Sequence, residues 1–465
     1  MLKRAREEAF KPVDLASLVF LRVAFGLLLA GYQLRALLHG TIERNYVKTI
    51  FHFHYFGFEW LRPLPGRGML WLDGVMVVAA VLLAVGAAYR AAALVFACCF
   101  TFQFLIDEAF FINHNYLICL LGFIFAAIPA HRACSVDAWL RPGLRSRTVP
   151  AWCLWLVRFQ VAVPYVYGAI AKMNGDWLLH GEPMGFYLYM NRSNAVLKHL
   201  VYLPGMKFVF AWCGMLFDLL VVPATLWRKT RLLAFAALLY FHVSNSFMFH
   251  IGVFPWLMIS ATTIFWDPAW PRKLLPATLF PESDAPPTPE RFRKPILVAL
   301  ALHAAIQLIV PFRHWFYPGD VNWHEQARHF SWHMMLRHKE TLIRFRAHDP
   351  NSHTDAFINP NTFLNSWQVS QMKKIPDRIH QFARFLGDVL SFGKPKRVEV
   401  RVDAYVGLNG RTPERIVDPS VDLGAEPRRW GPAEWILPLA TAIPDAQMPA
   451  PESETPDASD SMYSD

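Results

Sequence analysis

The chain has 465 residues, of which 54% are hydrophobic and only 18% charged, with a formal net charge of +10. Apolar residues arriving in blocks this long and continuous exclude an ordinary soluble core and place the chain in a lipid bilayer. The positive charge gathers in the loops between apolar runs and comes with no motif of a nucleic-acid-binding fold, so no nucleic-acid partner is expected.

Taken in chain order, the apolar runs give nine candidate spans: Ala16 to Leu38, Met69 to Ala88, Ala91 to Ile106, Asn115 to Ala130, Ala151 to Ala171, Phe208 to Trp227, Leu232 to Phe249, Ile251 to Trp266 and Pro295 to Val310. The first run is long enough to remain as a span, and the residues before it are charged, so no cleavable signal peptide is expected. Basic residues near span ends are retained in the cytoplasm. The even-numbered gaps carry Arg90, then Arg132, Arg141, Arg145 and Arg147, then Arg228, Lys229 and Arg231, then Arg272, Lys273, Arg291, Arg293 and Lys294. With Lys3, Arg4 and Arg6 they predict a cytoplasmic N-terminus, and an odd span count puts everything after Phe312 on the opposite side. The six cysteines all fall in the membrane half, lack paired zinc or redox spacing, and are expected to pack in the core.

After Phe312 the composition turns to His, Trp, Arg and charged residues. Helices are expected near Asn361 to Met372 and Asp377 to Phe392, and a strand over Arg397 to Val406, whose side chains alternate with period two. Asn409-Gly410 and a second extended run to Val417 complete a β-hairpin. From about Pro444 the chain is Pro, Ser, Asp and Glu with almost nothing apolar, which predicts a disordered acidic tail. The expected fold is therefore an all-α polytopic membrane bundle of about nine transmembrane helices over residues 1–312. A smaller mixed α/β exported domain over 313–443 and a tail over 444–465 follow.

Four ionisable residues within or at the ends of spans need an account. Lys172 ends an apolar run where Lys172-Met-Asn-Gly-Asp-Trp177 turns back toward water. Two readings compete for it: an interfacial lysine snorkelling to solvent, and an amine whose burial disfavours the ammonium so that it acts as a base. Arg22, Arg158 and Asp218 are expected to satisfy one another in a structural ion-pair network. His329 and His333, four residues apart, together with His324 and His338, raise a metal-site alternative, but a single histidine box supplies too few ligands and no metal is expected.

Several short stretches recur in a specific order: Trp60-Leu-Arg-Pro-Leu-Pro65, Asn113-His-Asn-Tyr-Leu117 running to His131-Arg-Ala-Cys-Ser-Val-Asp137, Arg158-Phe-Gln160, Lys172-Met-Asn-Gly-Asp-Trp177, Phe241-His-Val-Ser-Asn245, Ile251-Gly-Val-Phe254 and Pro268-Ala-Trp-Pro-Arg-Lys-Leu274. Asn322-Trp323, Ser331-Trp-His-Met-Met335 and Arg415-Ile-Val-Asp-Pro419 follow in the exported part. In this order and spacing the chain resembles the vitamin K-dependent γ-carboxylase family, within the wider group sharing the horizontally transferred transmembrane domain.

The resemblance implies an integral membrane enzyme that couples oxygenation of vitamin K hydroquinone to carboxylation of glutamate side chains, with dioxygen and carbon dioxide as co-substrates and a glutamate-containing peptide or protein as partner. It implies Lys172 as the base and His131 as its assistant, which requires Pro129 to bend its helix; otherwise His131 is an interfacial residue. His114 and Asn115 are the alternative partners. His242, Asn245, Trp332, Met334 and Met335 are expected to line the quinol pocket, with interhelical bonding and plain packing as the ordinary readings of the same residues. Ser331, Arg337 and Lys339 are expected on the substrate side, the two cations holding a glutamate carboxylate. The animal carboxylases carry a longer exported region that docks a propeptide. A quinol epoxidase that carboxylates nothing, and a non-catalytic quinone or lipid binder, therefore stand as alternatives.

Overall fold

The computed structural model describes residues 2–443 apart from 195–196, 250 and 277–278. The expected tail over 444–465 lies outside the described residues. After α1 (Leu2–Ala9), β1 (Pro12–Asp14) leads into the bundle helices α2 (Ala16–Leu38), α3 (Gly68–Val85), α4 (Tyr89–Ile106) and α5 (Asn113–Ala127). The short α6 (Val136–Leu140) and β2 (Thr148–Pro150), which pairs with β1, precede α7 (Ala151–Lys172). The short α8 (Gly175–Leu178) and α9 (Met184–Met190) come before α10 (Met206–Leu226), α11 (Arg231–Phe249), α12 (Phe254–Thr262) and α13 (Glu290–Ile309).

Among the described residues seven helices are long and apolar enough to cross a bilayer, where nine were expected. The other two expected spans form α5 and α12, of 15 and 9 residues, the latter extended by a 3-10 turn to Phe265. At 1.5 Å per residue α5 reaches roughly 22 Å, short of a hydrocarbon core of about 30 Å. Its limits are local: Pro129 disfavours helix in the residue before it, so α5 stops at Ala127 without a kink.

The charged residues buried in the spans pair differently from expectation. Arg22 donates to the carbonyls of Ala130, Ala133 and Cys134 at 2.9, 3.2 and 2.5 Å, and so stitches the segment after α5 onto α2. Arg158 donates to the carbonyls of Ile264 and Trp266 at 2.8 and 2.9 Å. Both arginines satisfy backbone left without helix partners, and neither reaches Asp218. The expected network of the three is corrected, because freed helix-end carbonyls accept from a guanidinium with no need of a carboxylate.

The C-terminal domain holds α14 (Val321–His324), β3 (Lys339–Asp349), β4 (Thr354–Ile358), α15 (Ser366–Met372), α16 (Pro376–Leu390), β5 (Glu399–Leu408) and β6 (Glu414–Arg415). Its antiparallel sheet has the order β4-β3-β5-β6. The hairpin is where it was expected, turning at Asn409 and Gly410, both at positive φ. β3 was not foreseen, although Leu342, Arg344 and Arg346 alternate against buried Phe345 and Ala347 as a strand with one wet face requires. Val400, Val402, Ala404 and Val406 line the dry face, against Ile379, Phe382 and Leu386 of α16.

This core is not built from residues after Phe312 alone. Phe51 and Phe53, from the loop joining α2 to α3, enter it, with Phe51 packed 4.6 Å from Phe385. Arg378 bonds Glu108 just beyond α4, and Gln368 donates to Asp107 at 2.8 Å. The domain is thereby seated on one end of the bundle, and that end carries Lys172.

Candidate active site

The period of an α-helix puts Tyr165, Gly168 and Lys172 on one face of α7. Lys172 is only 6% exposed, and its Nζ donates to Asp218 Oδ2 of α10 at 2.5 Å and to the Gly168 carbonyl at 3.3 Å. Asp218 is 4% exposed. The Trp177 ring, on the turn that follows α7, lies 5.5 Å from the amine. A histidine or Asn115 was expected beside this amine, and the structure gives it a carboxylate partner instead. An amine and a carboxyl this close offset each other's charge, which is what a dry bundle tolerates.

The same face of α7 continues the polar array. Tyr165 Oη shares a hydrogen bond of 2.8 Å with His242 Nε2 of α11 and lies 3.3 Å from Thr262 Oγ1. Phe254 stands between His114 and His242, with ring centroids 5.5 and 5.9 Å away. Phe217, beside Asp218, closes on Tyr165 from the other side at 6.2 Å.

The C-terminal domain supplies the remaining wall. Trp332 leaves its own domain and is buried in the membrane core, 5.1 Å from Tyr116 of α5. Met334 reaches over Gly168: a Cβ built there would meet Met334 Cε at 3.2 Å, Asp218 Oδ2 at 3.1 Å and Lys172 Nζ at 3.7 Å. A side chain at this position would crowd Asp218 and Met334 by a few tenths of an ångström. Lys172, His114, His242, Trp332 and Met334, expected from sequence, thus lie at one end of the bundle, joined by Tyr165, Gly168 and Asp218, which were not foreseen as site residues.

Among the described residues several buried polar atoms there have no partner: His242 Nδ1, Trp332 Nε1 and Asn113 Oδ1. Such atoms are costly unless something pairs them. They lie amid aromatic and thioether surface.

Other expected residues are placed elsewhere. His131 stacks on Tyr89 at 4.8 Å beside the Arg22 cluster, at the end of the bundle where α7 begins. The 22 residues of α7 put roughly 30 Å between that end and Lys172, so His131 cannot assist the amine directly. The unkinked end of α5 is the reason. Asn115 turns to Tyr32 of α2. Asn245 is half-buried on the face of α11 that carries His242. Ser331 Oγ donates to the Ala327 carbonyl at 3.0 Å, and Met335 is half-buried in a left-handed conformation.

Arg337 and Lys339 are also corrected as free cations. Both pair with Glu325, Lys339 at 2.9 Å, and Arg328 approaches the same carboxylate at 3.3 Å. The Lys339 side chain is fully buried and also donates to the carbonyls of Trp323 and Lys374 at 2.7 and 3.0 Å. Burial pulls its ammonium down to about 8 despite the carboxylate. Burial pushes the Glu325 carboxyl up, but Arg337, Lys339 and Arg328 outweigh it and hold the group at about 2. The histidines of the metal alternative diverge: His329 packs on Phe111 at 4.5 Å, and His333 on His314 at 4.7 Å.

Comparison with known proteins bears on both halves of the chain. Residues 10–270 match the HTTM domain family, and residues 292–442 match the lumenal domain of vitamin K-dependent gamma-carboxylase. No solved structure matches the chain.

Proposed function

The chain belongs to the vitamin K-dependent γ-carboxylase family, and from that premise we propose that it couples oxygenation of vitamin K hydroquinone to carboxylation of glutamate at the Lys172 site. The observation that carries this reading is the buried Lys172–Asp218 pair facing Met334 across Gly168. Oxygenation of the quinol to its epoxide supplies a base strong enough to take the γ-proton of a glutamate, which no side chain is at neutral pH. The resulting carbanion takes up carbon dioxide.

The protein's own residues have humbler tasks. With the pair's own proton on Asp218, Lys172 Nζ is free to take the hydroxyl proton of the quinol, and the ammonium so formed is balanced by the quinol oxygen that gave it up. His242, fixed through Tyr165 and Thr262, presents its free Nδ1, while Trp332, Met334 and Phe254 give the ring apolar faces. Burial of the amine keeps competing water out.

A second reading, epoxidation without carboxylation, is favoured by one observation. The cations expected to hold the glutamate carboxylate are already engaged by Glu325. The two readings separate when purified protein receives reduced vitamin K, dioxygen, labelled bicarbonate and a glutamate peptide. Epoxide with fixed label supports carboxylation, epoxide alone supports the second reading, and absence of epoxide defeats both.

Gly168→Ala supplies a local test. The added methyl meets Asp218 Oδ2 and Met334 Cε closer than ordinary contact allows. Epoxide formation is expected to fall about tenfold from misplacement of the reacting groups. Wild-type turnover in this variant would remove Met334 from the site.

A further inference from the structure

Both walls of the site are tied together by a feature far from the chemistry in sequence, the tip of the β5–β6 hairpin. Arg411 grips Asp176, on the turn just after Lys172, with Nη1 and Nη2 each 2.7 Å from a separate carboxylate oxygen. Asn409 Nδ2 donates to the same carboxylate at 2.8 Å. Asn409 also binds the segment carrying Met334: its Oδ1 accepts from the His338 amide at 2.8 Å, its own amide donates to the His338 carbonyl at 2.9 Å, and Nδ2 reaches the Leu336 carbonyl at 3.4 Å. The Arg411 and Asp176 side chains are 9% and 13% exposed, so bulk water screens this bidentate pair little.

The segment so held is strained. Glu325, Ala327, Phe330, Trp332 and Met335 are all non-glycine residues at φ between 55° and 63°. Left-handed backbone persists in such residues only where surrounding contacts over-determine it. Glu325 and its cations anchor the segment at its start, and Asn409 anchors it just past Met335. Asn409 is itself left-handed at φ 52°, which asparagine accommodates better than most residues.

We propose that Asn409 and Arg411 are positioning residues that hold the Met334 wall in register with Lys172, through Asp176 on one side and the Leu336–His338 backbone on the other. The proposal rests on the assignment of Lys172 as the proton acceptor. Neither residue touches the reacting groups. Their effect is to set the distance across Gly168, and loss of the bracket lets the strained segment relax away from α7.

The test uses full-length protein in detergent with Arg411→Gln, Asp176→Asn and Arg411→Lys, and has two arms. Amide hydrogen exchange needs no turnover. In Arg411→Gln it is expected to quicken about tenfold over residues 334–338 and 173–178, while the β5 amides keep their protection. With reduced vitamin K and dioxygen, kcat for epoxide is expected to fall about tenfold in Arg411→Gln and Asp176→Asn, with KM for the quinol within about threefold of wild type. Arg411→Lys, which keeps charge without the fork, should recover part of kcat. Unchanged exchange at 334–338, exchange spreading through β5, or kcat per folded enzyme within about twofold of wild type would overturn the proposal, the second result marking a general domain anchor. A wild type that forms no epoxide sinks the Lys172 assignment by itself, and the exchange arm still decides whether the bracket exists.

Discussion

Lys172→Ala is expected to lower epoxide formation by about 10³-fold, the scale on which removal of a positioned proton acceptor acts. The same change leaves Asp218 buried without its cation, which costs about 3–5 kcal/mol when one partner of a buried pair is deleted. Loss of activity therefore needs separating from loss of fold. Adding Asp218→Asn removes the stranded carboxylate, so the double variant is expected to regain most of the lost stability and none of the activity. Denaturant unfolding in detergent and epoxide per folded protein, measured on wild type and both variants, decide the matter. A double variant that regains stability and epoxide formation together would show that Lys172 is only half of a structural pair.

Glu325→Gln is expected to weaken the C-terminal domain by about 3–5 kcal/mol, because one buried carboxylate answers Arg328, Arg337 and Lys339 at once. The pH dependence follows from linkage. A carboxyl held at about 2 when folded, against 4.5 as the ordinary value, adds stability that is fully present above the ordinary value and is lost as pH falls through the folded one. Lys339 gives a slope of the same sign in a more alkaline window. Its folded value of about 8 lies below 10.5, so the unfolded chain binds the extra proton between these limits and stability rises with pH across that window. Unfolding free energy measured from pH 3 to 10 in wild type and Glu325→Gln checks both. Loss of the acid-limb dependence in the variant is the expected result, and an unchanged acid limb would remove Glu325 as its source.

Glu325 also bears on which activity the enzyme performs. A substrate carboxylate drawn to Arg337 or Lys339 must share those cations with an internal glutamate, and Glu325→Gln, if it leaves enough folded protein to assay, frees them. A rise in fixed label relative to epoxide in that variant would tie the ratio of the two products to this contact.

Sequence patterning went furthest where the physics is local. Long apolar runs and the alternation of Glu399–Leu408 are read one segment at a time, because transfer to lipid and strand pleating depend on composition and spacing along a single stretch. Span lengths were less secure: Asn113–Ala127 and Phe254–Thr262 are apolar enough but end early at proline and loop signals that hydropathy ignores. β3 was overlooked because its alternation is carried by Arg344 and Arg346 against Phe345 and Ala347, which reads as a charged surface run until a sheet gives it a dry side.

By itself, then, the sequence determined that this is a membrane protein with a mixed C-terminal domain, that Lys172 ends a span, and that Trp332 and Met334 belong to a segment rich in flat and polarizable groups. Only the tertiary structure decided who meets whom. Asp218 pairs with Lys172, 46 residues away, rather than with Arg22 or Arg158, and Lys339 pairs with Glu325 rather than standing free. His131, expected beside Lys172 only if Pro129 bent its helix, ends at the other end of the bundle. Partner choice depends on the rotation and depth of each helix against its neighbours, which packing across the bundle sets and no single stretch of chain encodes.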